Sequence, residues 1–357
     1  MKCGYSMLLM ILVLAFAGTG CQKAKTNEAR VVFRVSNEGS FYFQPEGKSG
    51  YEKVVPDSLG NVVFTVELEE PGYYQYTSTK QRFYSVYLVP GAQMEICEDA
   101  DGVTFKGDLA AENTFLAENP FTAAVSREIP TYSAEWMKIN REELSRILEK
   151  LNKSGLSPEF IHQQTLKYQY GFYNQLLEGP ELMAMFMKVD VNLPDNYYDF
   201  LKDLKFDDPL ITRLPKWFKT MLAAFERMEK EGMIEVSPDK YMEIYAGRIE
   251  NDKVRSLFLI NLLNFTLDKG YSDELPTYVM NVRRLITDTA AIAQLPAIEA
   301  RYQQAREANK SILRGMPAPE FKAVDINGKE YTSDQFKGKM QVLDFWFTGC
   351  VPCRAEM

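Results

Sequence analysis

Asp344-Phe345-Trp346-Phe347-Thr348-Gly349-Cys350-Val351-Pro352-Cys353-Arg354-Ala355-Glu356-Met357 is the stretch whose reading decides the fold. Met340 to Trp346, an apolar run interrupted only by Gln341 and Asp344, has the texture of a central buried strand. Two cysteines separated by two residues follow a short turn, at the place where a helix would start. This order points to redox chemistry rather than to a metal site. Zinc needs four ligands, and with Cys3 assigned to an N-terminal leader and Cys21 to its lipidation, the chain offers besides carboxylates only the distant Cys97 and a single histidine, His162. Neither a metal nor another cofactor is expected. At a helix start, unpaired N–H groups and their partial positive charge favour thiolate over thiol, so Cys350 is the expected nucleophile. Cys353 lies within one turn of it and would resolve a mixed disulfide formed on Cys350. Pro352 lacks an N–H and holds φ at about −65°, which helps decide which amides face the sulfurs.

Immediately upstream, Gly315-Met316-Pro317-Ala318-Pro319-Glu320-Phe321 breaks a helical pattern. Phe321 to Asp325 is expected as a strand, Asn327-Gly328 as a tight turn and Glu330 to Thr332 as the return strand. Ser333 is expected to cap a short helix through Phe336, and Lys337-Gly338-Lys339 to turn into the apolar run.

From Gly315 to Met357 the sequence resembles the TlpA/ResA-like branch of the thioredoxin superfamily, which overlaps the profile called AhpC/TSA. The resemblance implies a membrane-tethered thiol-disulfide oxidoreductase that faces the periplasm or its equivalent. Its substrates would be protein disulfides or dithiols, and its redox partner a membrane or periplasmic thiol protein. Proton-handling roles come with the resemblance for Glu356, just past Cys353, and for Asp344, ahead of Cys350. Either carboxyl, buried without a partner, would have a raised pKa and serve as a base near neutrality. Gly349 departs from the pattern, because most relatives carry tryptophan there. The sequence stops at Met357, so the resemblance further implies a truncated domain that is poorly ordered and weakly active or inactive. Peroxidase chemistry of the peroxiredoxin kind fits poorly, because it wants threonine three residues before the cysteine and Thr348 is nearer than that.

Working outward, the first twenty residues read as a signal peptide: Lys2 precedes an apolar run, Met7 to Ala17, too short to span a bilayer. Ala17-Gly18-Thr19-Gly20-Cys21 resembles a lipobox. It implies lipidation of Cys21, a tether over 21–29 and a lipid-anchored protein of the cell envelope. Over 30–110, short β-branched and aromatic segments alternate with Gly, Pro and Asn turns, as in Val63-Phe64-Thr65-Val66-Glu67-Leu68. This predicts an antiparallel β-sandwich. Cys97 falls in one of its strands and reads as a buried, inert thiol.

Over 111–310 the periodicity becomes helical, as in Leu144, Ile147, Leu148 and Leu151. Asn140 with Glu143 suggests a capping box, and Ser157-Pro158-Glu159 and Ser237-Pro238-Asp239 suggest helix starts. Val254 to Leu267 reads as a buried helix, and Pro180, Pro194, Pro215 and Pro276 as breaks between helices. His162 reads as a surface histidine. The fold class is therefore multidomain: a β-sandwich, a helical region and a partial α/β thioredoxin-like unit over 311–357.

The 357 residues, 46% hydrophobic, 25% charged and 13% aromatic, carry a net charge of −8. That balance describes a folded protein with no basic footprint for nucleic acid. No phosphate loop, dinucleotide fingerprint or His-Glu-x-x-His is present, so hydrolase and kinase readings lack support. The competing reading is a non-enzymatic lipoprotein, a binding or scaffold module carrying a vestigial thioredoxin segment.

Overall fold

The computed structural model describes residues 27–35, 41–47, 53–78, 82–99, 101–121, 129–188, 190–237, 239–270, 273–310, 316–350 and 353–354. The signal peptide, Cys21 and most of the tether lie outside these residues, as do Gly315, Pro352 and Glu356.

Among the described residues eight strands come first: β1 (Glu28–Arg34), β2 (Phe41–Pro45), β3 (Lys53–Val54), β4 (Asn61–Glu67), β5 (Gly72–Thr77), β6 (Phe83–Leu88), β7 (Gln93–Glu98) and β8 (Val103–Gly107). They form two four-stranded sheets, ordered β4-β1-β7-β8 and β3-β2-β5-β6. Alternation decides which side chains meet between them. Ala29, Val31 and Phe33 of β1 are buried while Glu28, Arg30 and Arg34 are exposed. Phe33 packs against Phe41, Phe43 and Tyr76 of the opposite sheet at ring-centroid distances of 4.7, 5.0 and 5.1 Å. Tyr76 of β5 also donates to Glu98 of β7 at 2.5 Å, a buried polar tie between the sheets.

The sandwich is not wholly antiparallel, because β1 pairs in parallel with β7, Arg30 opposite Gln93 and Arg34 opposite Cys97. Alternation reports which face is buried but not which way a neighbour runs. Here the chain lays down β4 beside β1 and the four strands of the opposite sheet before it returns in the same direction, which a parallel pair requires. The short β3 was also absent from the sequence reading, since two residues carry no period.

Nine α-helices follow among the described residues: α1 (Ala110–Glu118), α2 (Ala134–Asn152), α3 (Pro158–Met187), α4 (Trp217–Lys230), α5 (Tyr241–Ala246), α6 (Asp252–Asp268), α7 (Leu275–Leu285), α8 (Thr289–Ile292) and α9 (Leu295–Ala308). α6 is buried nearly all round, as its sequence implied. Ser157 caps α3 by accepting from Phe160 N–H, with Pro158 and Glu159 in the first turn.

Three helix boundaries differ from expectation. α2 starts at Ala134 under a Ser133 cap. Asn140 lies inside it, donating to Trp136 O at 2.8 Å, and Glu143 pairs with Arg146 instead of capping. α5 starts at Tyr241 rather than at Ser237, whose carbonyl accepts from Lys240 N–H in a preceding turn. Pro180 breaks nothing and sits within the thirty-residue α3. A proline there leaves the carbonyl four residues back without its helical donor. That carbonyl belongs to Leu176, and the Tyr197 hydroxyl donates to it at 3.1 Å. Tertiary structure thus supplies the missing bond. Gly179 beside it has no room for a Cβ, because the Tyr132 phenol lies against it.

The sandwich and the helices share a core in which Tyr73 and Tyr87 pack with Phe115, Ile147, Phe160 and Tyr168. At this seam Lys167 of α3 reaches Glu46 at 2.9 Å and the Ser85 hydroxyl at 2.6 Å. Burial pushes the Lys167 ammonium below its usual range, and Glu46 acts against that shift.

Last come β9 (Lys322–Val324) and β10 (Glu330–Thr332), paired as the expected hairpin with Gly328 at φ +82° in its turn. A short 3-10 turn, Ser333–Phe336, follows, with Thr332 rather than Ser333 at its cap position. The run from Met340 to Trp346 does not form the expected buried strand. It belongs to no ladder among the described residues, and Met340, Val342 and Phe345 are exposed. A parallel strand exists only through neighbours that pair with it and helices that cover it, and no described element does either.

Candidate active site

The cysteine pair is placed by local turns. Cys350 N–H donates to Phe347 O at 2.9 Å, which closes the turn through Thr348 and Gly349, and Arg354 N–H donates to Cys350 O at 3.1 Å, the first helical bond after it. This geometry brings the Cα atoms of Cys350 and Cys353 to 5.4 Å, and their sulfurs are joined in a disulfide. Cys353 N–H points at Cys350 Sγ, 3.3 Å away. A backbone donor aimed at the first sulfur is the arrangement that stabilises a thiolate there once the bond is reduced. Both cysteines are half-buried. Next to them, a Cβ on Gly349 would come within 3.1 Å of the Phe347 ring, so Phe347 occupies part of the space that a larger residue would claim.

The other expected site residues are not gathered at the sulfurs. Asp344 stands on the exposed apolar run rather than in a buried strand. Glu356 and Cys21 lie outside the described residues. Cys97 is buried in β7 with its Sγ 3.2 Å from Glu95 Oε1. His162 is more than half exposed and pairs with Asp208 at 2.6 Å, in keeping with a surface histidine. Among the described residues no three metal-ligating side chains cluster, and no helix is long and apolar enough to cross a membrane.

The sequence reading missed a second polar constellation, Glu46, Ser85, Lys167 and Gln164, at the seam between sandwich and helices. Ser85 donates to Glu46 at 2.5 Å and accepts from Lys167. The signal that could have pointed there is Gln163-Gln164 on the inward side of α3, since buried amides need partners.

Comparison with known proteins identifies the class of the C-terminal segment: residues 313–357 match the Redoxin family. The segment is thioredoxin-like. Among individual proteins, it is similar to the thioredoxin-like protein YneN of Bacillus subtilis, 38% identical over 56 residues, which is 16% of this chain and 33% of that protein. The thiol-disulfide oxidoreductase ResA of B. subtilis is 40% identical over 55 residues, 15% of this chain and 31% of its own length. ResA of Bacillus thuringiensis subsp. konkukian is 46% identical over 43 residues, 12% and 25% respectively. The chain thus spans a quarter to a third of the curated relatives it matches.

Proposed function

We propose that this protein is a thiol-disulfide oxidoreductase of the cell envelope, lipid-anchored through Cys21 and facing the periplasm, that reduces disulfides of exported proteins. The observation that carries the reading is the Cys350–Cys353 disulfide with Cys353 N–H directed at Cys350 Sγ. In the reduced state, the Cys350 thiolate attacks one sulfur of a client disulfide. A mixed disulfide forms and the other client sulfur leaves as thiolate. Cys353, deprotonated, then attacks Cys350 Sγ; the client leaves with its second sulfur reduced, and the pair is oxidised by two electrons. A membrane or periplasmic dithiol protein restores it. Asp344 and Glu356 are the carboxylates proposed to take and return the protons. The similarity of residues 313–357 to thiol-disulfide oxidoreductases supports this assignment.

The test uses the protein isolated from its native membrane. Disulfide reduction in an insulin assay should vanish in Cys350→Ser, while Cys353→Ser should accumulate client mixed disulfides. Undiminished reduction in Cys350→Ser would sink the proposal. A second reading, a binding or scaffold lipoprotein, is favoured by one observation, the large sandwich and helical body with cores of its own. It predicts that both cysteine variants leave the protein's cellular role unchanged.

A further inference from the structure

Among the described residues strand β6 is an edge strand, paired on one side with β5 and on the other with no described strand. Its ladder parity is fixed by two observations. Ser78 N–H donates to Arg82 O, which closes a hydrogen-bonded pair, and Tyr87 turns both backbone groups away from β5. In the register Tyr73–Tyr87, Gln75–Ser85 and Thr77–Phe83, those three residues of β6 therefore all direct N–H and C=O outward. At Tyr87 the outward groups are satisfied by the Asn113 carboxamide, which accepts from its N–H at 2.7 Å and donates to its C=O at 3.0 Å. Asn113 thus takes the place of one peptide unit of a neighbouring strand. At Ser85 and Phe83 no described residue bonds the outward backbone groups. The edge runs into a cavity of about 480 Å³ walled by Leu116, Phe121, Gln164 and Tyr168.

The cavity has the marks of a built site. Gln164 is buried, yet its Oε1 has no hydrogen-bond partner among the described residues. An orphaned buried acceptor is expensive unless a donor arrives. Phe83 is 67% exposed at the rim, an apolar side chain held over the opening. Arg82, also at the rim, has no ion-pair partner among the described residues. Lys167 lines the wall too, but its charge is taken up by Glu46.

We infer that the open edge of β6 beside α3 is a docking groove for an extended segment of a partner polypeptide, which joins the sheet as an additional strand. The backbone rungs at Phe83 and Ser85 hold its main chain, and alternate apolar side chains enter the cavity beneath Phe83. A donor on the segment satisfies Gln164 Oε1, and a carboxylate at one end meets Arg82. Two open rungs at about 7 Å per residue pair seat a segment of roughly four to five residues. The inference concerns the sandwich and helices alone and does not rest on the redox reading.

The test is fluorescence anisotropy of the whole protein with a labelled, end-blocked heptapeptide of alternating valine and threonine carrying one terminal glutamate. Saturable binding at about 10–100 μM is expected. N-methylation along the peptide should weaken it about tenfold at one parity of positions and change it less than about twofold at the other, because only alternate amides face β6. Phe83→Pro removes an outward N–H that no ladder bond uses, a change edge strands tolerate, and should weaken binding by the same factor. Arg82→Glu should reverse the preference toward a lysine-ended peptide. Binding without parity in the methylation scan, or no saturation up to about 1 mM, overturns the inference. The scan uses the unaltered protein, so it decides the matter even where a variant misfolds.

Discussion

Glu46→Gln should destabilise the sandwich-helix seam by about 3 kcal/mol at neutral pH, and the size follows from the geometry around Lys167. The two side chains are only 18% and 17% exposed and lie 2.9 Å apart. Their attraction at an effective dielectric near 20 is about 6 kcal/mol, and it offsets desolvation of several kcal/mol for each ion. Removing the carboxylate leaves the desolvation of the ammonium uncompensated. The remaining partners soften the loss: the Ser85 hydroxyl at 2.6 Å and the Tyr73 ring face at 3.8 Å. The estimate therefore sits at the low end of the roughly 3–5 kcal/mol range for a broken buried pair. Calorimetry should show a Tm lower by about 5–10 °C.

The pH dependence gives the sharper test. The folded state holds the Lys167 pKa below its unfolded value. Between the two values the unfolded chain binds more protons, so stability from this group rises with pH through that window. Glu46 is the influence that raises the pKa, so Glu46→Gln lowers it further and widens the window downward. The deficit of the variant should shrink as the pH rises toward the ordinary lysine range. The double variant Glu46→Gln/Lys167→Met should recover most of the stability, because it buries no charge. A deficit independent of pH, or a double variant as unstable as the single, would refute the reasoning.

Asn113→Ala strips both backbone groups of Tyr87 of their partners and should lower stability in urea titration by about 2–4 kcal/mol. Tyr197→Phe removes the donor to Leu176 O and should cost about 1–2 kcal/mol, but much less in a Pro180→Ala background that restores a helical N–H, as a double-mutant cycle would show. Gly179→Ala drives a methyl into the Tyr132 phenol and should cost about 1–3 kcal/mol in the same assay, with partial relief from Tyr132→Phe. After mild reduction, Cys350 and Cys353 should react rapidly with a thiol reagent while buried Cys97 reacts only on unfolding; three rapid thiols would contradict its placement.

Much of the architecture was legible because it rests on local periods. The period of two in β4 and the near-continuous apolar surface of α6 describe which surfaces must be covered, and the structure covers them. Ser157-Pro158-Glu159 announced α3 because a cap satisfies local amides. Asn327-Gly328 announced the β9–β10 hairpin because glycine alone adopts its turn without strain. The cysteine pair was equally legible, since two intervening residues place the sulfurs within one turn whatever surrounds them.

What the sequence determined by itself, then, was the class of most elements and the closeness of the two cysteines, both governed by contacts within a few residues. Only the tertiary structure decided the parallel pairing of β1 with β7, the continuity of α3 through Pro180, and the meeting of Glu46, Ser85 and Lys167. Each depends on partners tens of residues away, whose arrival no local pattern encodes. The exposed run from Met340 to Trp346 makes the same point in reverse. Its composition suits a buried strand, but a strand is a relation between neighbours, and none of the described residues enters into it.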